Sequence, residues 1–174
     1  MANNYLQFSE VLSNLTVAER DWLQQQLETV YVFGDTEYAE VDIPRNLSLE
    51  DAIWCGCRAL RDLPDEDCDP VVGFQCEFAQ DDDLGLHLWF YAEEAGEPQQ
   101  VAHVVQKFLL QFRPEQSWSL TYATTCSKLR ISEFSGGALF VTAEAIESFD
   151  AGDFTASRQR AFDLNHPSPS RSLP

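Results

Sequence analysis

Positive charge is scarce in this sequence. Its 174 residues carry 11 Lys and Arg against 29 Asp and Glu, a formal net charge of −18 at pH 7. Proteins that hold DNA or RNA by the phosphates need Lys and Arg to displace condensed counterions. The scarcity therefore speaks against direct nucleic-acid binding, and against anionic membrane surfaces for the same reason. Long hydrophobic runs are missing as well, since no stretch approaches the ~20 apolar residues of a membrane helix. The opening Met1-Ala-Asn-Asn-Tyr5 has neither the basic region nor the apolar run of a secretory leader.

Cysteine and histidine are sparse and badly spaced for chemistry. Five cysteines (Cys55, Cys57, Cys68, Cys76, Cys126) cannot all pair, which argues against a disulfide framework and points to a reducing, cytoplasmic location. Cys55-x-Cys57 is too tight for a Cys-x2-Cys zinc half-site, and no His lies near it. Both residues read as small buried hydrophobes in a helix. Glycine motifs are lacking too: Ser135-Gly-Gly137 stands in no Gly-x4-Gly-Lys-Ser/Thr frame, and no metalloprotease, kinase or dinucleotide fingerprint occurs. No cofactor and no metal are expected.

What the chain does contain is globular: 44% hydrophobic, 12% aromatic and 23% charged residues. A chain of this length buries close to ~70% of its unfolded surface, enough for a real core. The charge is lopsided. Residues 1–100 hold 22 acids and 4 bases (Arg20, Arg45, Arg58, Arg61), whereas residues 101–174 hold 7 of each. Within 61–100 the net charge is −11, gathered in three clusters: Asp65, Glu66, Asp67 and Asp69; Asp81, Asp82 and Asp83; Glu93, Glu94 and Glu97. Crowded carboxylates repel each other and destabilise the compact state. One reading is solubility alone. The other is a surface built to meet a basic partner.

Local patterns predict an α+β domain. Thr16-Val-Ala-Glu19 is a capping box ahead of a helix over 17–29. A shorter helix is predicted over 4–13, and Ser48-Leu-Glu-Asp51 reads as the start of a third, reaching Leu60. Between them, Val30–Phe33 reads as a short strand and 34–46 as loop. From 72 the alternation of Phe74, Cys76 and Phe78, then of Leu86, Leu88 and Phe90, predicts a hairpin turning at 81–85. Val101, Val104, Val105, Phe108, Leu109 and Phe112 form the stripe of an amphipathic helix ended by Pro114. Two strands follow, over 118–125 and 138–142, then short helices over 145–149 and 155–162.

The expected architecture is a four-stranded antiparallel sheet, ordered strand-strand-helix-strand-strand. One long helix crosses a face, and the N-terminal helices pack alongside. The expected organisation is one domain over 1–163, helical over 1–62 and sheet-forming over 72–143, with a disordered tail at 164–174.

Three candidate sites follow. Asp65-x-Asp67-x-Asp69 imitates an EF-hand loop but has Pro70 where the turn needs Gly and Cys76 where a bidentate Glu is needed. Cys126, with Lys128 and Arg130 close behind, is the candidate nucleophile of a small cytosolic enzyme. Neither His87 nor His103 is brought to it by sequence. Trp89, Tyr91, Trp118 and Tyr122 fall on strands. They resemble an RNA-stacking platform without the basic residues one needs, so a protein-binding patch with an acidic rim fits them better, while simple core is the expected fate of most of these side chains.

The leading expectation is a non-enzymatic protein whose three acidic clusters block the basic surface of a nucleic-acid-handling partner. Immunity proteins of toxic nucleases and phage or plasmid inhibitors of restriction or CRISPR machinery, which can mimic nucleic acid, are the physical analogues.

Overall fold

The computed structural model of the chain describes residues 3–63, 72–128 and 133–165. Among these, nine strands and three α-helices form two antiparallel sheets. In chain order the elements are β1 (Asn4–Leu12), α1 (Val17–Leu27), β2 (Thr29–Phe33), β3 (Thr36–Ala39), β4 (Trp54–Cys57), β5 (Gln75–Asp81) and β6 (Gly85–Ala92). They continue with α2 (Pro98–Phe112), β7 (Ser117–Cys126), β8 (Ser135–Thr142), β9 (Ile146–Asp150) and α3 (Ala151–Asn165). The large sheet has six strands in the order β5-β6-β1-β7-β8-β9, and the small one runs β3-β2-β4. The α+β class stands. The four-stranded sheet flanked by N-terminal helices does not.

The largest correction is β1. Residues 4–13 were expected as a helix, yet Asn4–Leu12 is an inner strand that joins the two expected hairpins, pairing Phe8 with Ala92 of β6 on one side and with Tyr122 of β7 on the other. Its apolar residues sit at 5, 6, 8, 11 and 12, a set compatible with helical spacing. An inner strand can carry apolar groups on both faces, and this erases the clean alternation that marks a strand. The helix expected over 49–60 fails for a related reason. Ser48 caps a single turn at Leu49–Asp51, its Oγ accepting from Glu50 N at 3.3 Å. The chain then extends, and Trp54–Cys57 pairs with β2, so Cys55 and Cys57 lie on a strand. The short helix expected over 145–149 is instead β9, Ile146–Asp150, on the edge beside β8.

Within 34–46, expected as loop, Thr36–Ala39 forms β3 against β2. Other local readings hold. Thr16 Oγ1 accepts from Glu19 N at 3.2 Å, and Glu19 accepts from Thr16 N at 2.7 Å, so both arms of the capping box are made. Asp81 Oδ1 accepts from Asp83 N and Leu84 N to close the hairpin, with Gly85 taking the positive φ of 65°. The helix expected over 155–162 begins earlier and runs from Ala151 through Asn165; the remainder of the expected tail, 166–174, lies outside the described residues.

The core lies between one face of the six-stranded sheet and α2. Val101, Val104, Val105, Phe108 and Leu109 of α2 are fully or almost fully buried against strand residues such as Phe90, Leu120 and Leu139. Each such side chain contributes about 1.5–3 kcal/mol. A one-turn segment, Arg58–Leu60, inserts Ala59 and Leu60 into the core against α1 and α2 and so ties the small sheet to it. Gln100, buried on α2, accepts from Gly73 N at 2.7 Å through its Oε1 and fixes the entry to β5. A Cβ at Gly73 would come within 2.6 Å of Glu97 Cγ, so any larger residue here would have to displace the Glu97 side chain.

At the far end of α2, Arg113 forms the main charged hub. Its guanidinium donates to both Glu19 oxygens, at 2.7 and 3.0 Å, and to the carbonyls of Ser13 and Asn14. Burial works against the charge on Glu19. The bonds from Arg113 and Thr16 outweigh it and hold the carboxyl below its ordinary value of 4.5.

Candidate functional site

The described acidic clusters occupy opposite ends of one strand. Asp81, Asp82 and Asp83 sit at the β5–β6 tip, while Glu93, Glu94 and Glu97 follow the other end of β6. The eight steps from Gly85 to Glu93 separate them by on the order of 25 Å. Asp65, Glu66, Asp67 and Asp69 lie outside the described residues. The chain returns at Val72 beside Glu97, whose N–H donates to Gly73 O at 2.8 Å. It therefore resumes at the Glu93 end of β6 and not at the hairpin tip. The six described cluster residues are all exposed.

Where the bases go matters as much. Arg20 pairs with Asp21, Arg58 with Glu28 and Glu37, Arg61 with Glu37, Lys107 with Asp62, and Arg113 with Glu19. Among the described residues, no Lys or Arg pairs with Asp81, Asp82, Asp83, Glu93, Glu94 or Glu97. Asp81 is partly occupied by its own turn and has the buried His87 at 3.9 Å. The other five carboxylates have no ion-pair partner among the described residues.

Between the two ends stretches the face of the six-stranded sheet turned away from α2, open except at the β9 edge, where Phe154 of α3 packs on Phe149. The register sets Glu77, Trp89 and Val11 in one row across β5, β6 and β1, and Ser119, Phe140 and Glu147 in one row across β7, β8 and β9. The next rows are Gln75, Tyr91 and Ser9, and Thr121, Ala138 and Phe149. Trp89, Phe140 and Phe149 remain 37%, 46% and 48% exposed. These rows carry carboxylates on both edge strands and no Lys or Arg. Of the four aromatics singled out from sequence, only Trp89 and Tyr91 face this side. Trp118 and Tyr122 point to the core side, where Trp118 meets Phe90 and its Nε1 donates to Val11 O at 3.0 Å. Phe140 and Phe149 escaped notice because one sits in an apolar run and the other in a segment expected to be helical.

Trp89 and Tyr91 are the most organised part of the face. Their rings stack at 4.2 Å with an interplanar angle of 24°. Trp89 Nε1 donates to Ser9 Oγ at 2.9 Å, which pins the indole to β1. Beside them a shallow cleft of about 410 Å³ is lined by Gln7, Ser9, Trp89, Tyr91 and Glu93. Gln7 donates to the backbone carbonyl of Glu93 at 2.9 Å and steadies the cleft's acidic end. Two further clefts, of about 450 and 480 Å³, flank the 93–97 loop, and both include Glu94 and Glu97.

The thiol candidate fares differently. Cys126 closes β7 opposite Asn4 and is buried. Lys128 is exposed two residues on, and Arg130 lies outside the described residues. His87 is held near the opposite end of the sheet, with Nδ1 3.0 Å from Gly85 O. His103 is on α2 facing Ile146 and Ser148 of β9. No base is in hydrogen-bond contact with Cys126 among the described residues. There, too, no group of three His, Cys, Asp or Glu is placed to hold a metal ion, and no helix is long and apolar enough to cross a membrane.

Comparison with protein-family models, with curated proteins and with solved structures finds no match to this chain. The functional reading rests on the chemistry of its own surface.

Proposed function

We propose that this protein is a non-enzymatic binder of a basic protein surface, of the kind that grips nucleic acid, and that it acts by occupying that surface. One observation carries the reading. Among the described residues, Asp82, Asp83, Glu93, Glu94 and Glu97 are exposed with no arginine or lysine partner, while the ion-paired bases serve other acids. Carboxylates left this way cost stability by repulsion and favour association with positive charge. The sheet face between the two clusters, whose strand residues include no Lys or Arg, supplies apolar and aromatic contact area of the kind that anchors protein interfaces.

The test is a titration against purified nucleic-acid-gripping proteins, scored by affinity and by competition with their nucleic acid. Binding to a true partner should weaken by about tenfold or more between low and physiological salt. It should be excluded by DNA or RNA and be lost when the five carboxylates become Asn or Gln. An affinity that ignores salt and survives this neutralisation would overturn the proposal.

A further inference from the structure

The cleft beside the Trp89–Tyr91 stack has a chemistry more specific than negative charge. We infer that it is an arginine-binding site, taking a guanidinium side chain of the basic partner; this rests on the reading above. Three features converge. The cleft is walled by two aromatic rings held rigid, one by stacking and both by their place on an inner strand, with the indole nitrogen already satisfied by Ser9. A flat cation laid on such rings is attracted by their electron-rich faces, and tryptophan is the strongest of these platforms.

One carboxylate stands in the cleft and another behind its tryptophan wall. Glu93 lines the cleft, and Glu77 is paired directly across from Trp89 on the edge strand. Gln7 and Ser9 add polar atoms along the remaining wall, and no lining residue is basic. Arginine fits this arrangement better than lysine. Its guanidinium is planar, sheds water more easily and stacks while its N–H groups reach carboxylates at the edge; an ammonium is a compact, strongly hydrated point. The hairpin-tip carboxylates lie far along the sheet and would act on either cation alike.

Two peptides of equal charge separate the contributions: nona-arginine and nona-lysine, titrated by calorimetry against the full chain at several salt concentrations. The expected result is salt-dependent binding of both, with the arginine peptide about five- to tenfold tighter. Trp89→Leu should abolish that preference and leave nona-lysine affinity unchanged. Trp89→Phe, which keeps a ring, should retain part of it and guards against a folding defect, as does circular dichroism of both variants. Asp82→Asn with Asp83→Asn should weaken both peptides equally.

Equal affinity for the two peptides, indifferent to Trp89→Leu, would overturn the arginine site and leave the acidic-binder reading intact. Binding of neither peptide, or no salt dependence, would overturn both. Concentration-dependent self-association that disappears in Trp89→Leu would give the cleft to a second copy of this chain and equally overturn the assignment.

Discussion

The two faces of the six-stranded sheet are made from the same strands and have opposite fates. One is closed by α2 and is dry: Leu88, Phe90, Leu120, Leu139 and Val141 are essentially inaccessible. The other keeps Trp89, Phe140 and Phe149 in water beside serines, threonines and edge glutamates. The helices repeat the contrast. α2 and α3 are both fifteen residues long, yet α2 buries its whole apolar stripe while the described side chains of α3 are almost all exposed. Amphipathic pattern decides which helix makes a core. What covers a sheet face depends on which helix has a stripe to offer.

Substitutions should separate the faces by size of effect. Phe108→Ala empties a fully buried site touching Trp22 and Phe112, and is expected to cost about 3–5 kcal/mol in urea unfolding. Phe140→Ser, on the open face, should change stability by less than about 1 kcal/mol. A comparable loss at both positions would mean that the open face is covered after all.

Arg113→Ala comes next, at about 3 kcal/mol, since it leaves Glu19 charged and enclosed without its partner. Gly137→Ala should cost about 1–3 kcal/mol. Its Cβ would run into Tyr122 Oη and the carbonyl of Phe149, because the Tyr122 ring lies across the space that the glycine leaves open. Thermal melting measures both.

The smallest effect is in acid. The Glu19 carboxyl titrates lower in the folded protein than in the unfolded chain, so its stabilisation is complete above the ordinary carboxyl value of 4.5 and is lost as pH falls through the folded value. The stability gap between wild type and Glu19→Gln should therefore be widest near neutrality and shrink below about pH 4.5. A gap independent of pH would refute the charged hub.

Elements whose cause is local were legible without the fold. The capping box at Thr16, the turn at Asp81–Gly85 and the stripe of α2 depend on residues a few positions apart, and each appears where the pattern put it. Elements whose cause lies across the chain were not. Residues 4–12 and 54–57 have apolar spacing that suits either a helix or a strand. The choice falls to partners such as Ala92, Tyr122 and Val30, many positions away. The site shows the same division. The scarcity of basic charge and the position of each acidic cluster were plain in the sequence.

The bond from Trp89 to Ser9, by contrast, needed β1 beside β6, whereas Glu77 comes opposite Trp89 within the local hairpin. The sequence alone therefore determined a strongly acidic α+β chain with one dominant amphipathic helix. Only the tertiary structure decided which carboxylates go unpaired and which aromatics stay in water. The physical reason is that charge pairing and burial are properties of neighbours in space, and five of the nine described strands take at least one neighbour from a distant part of the chain.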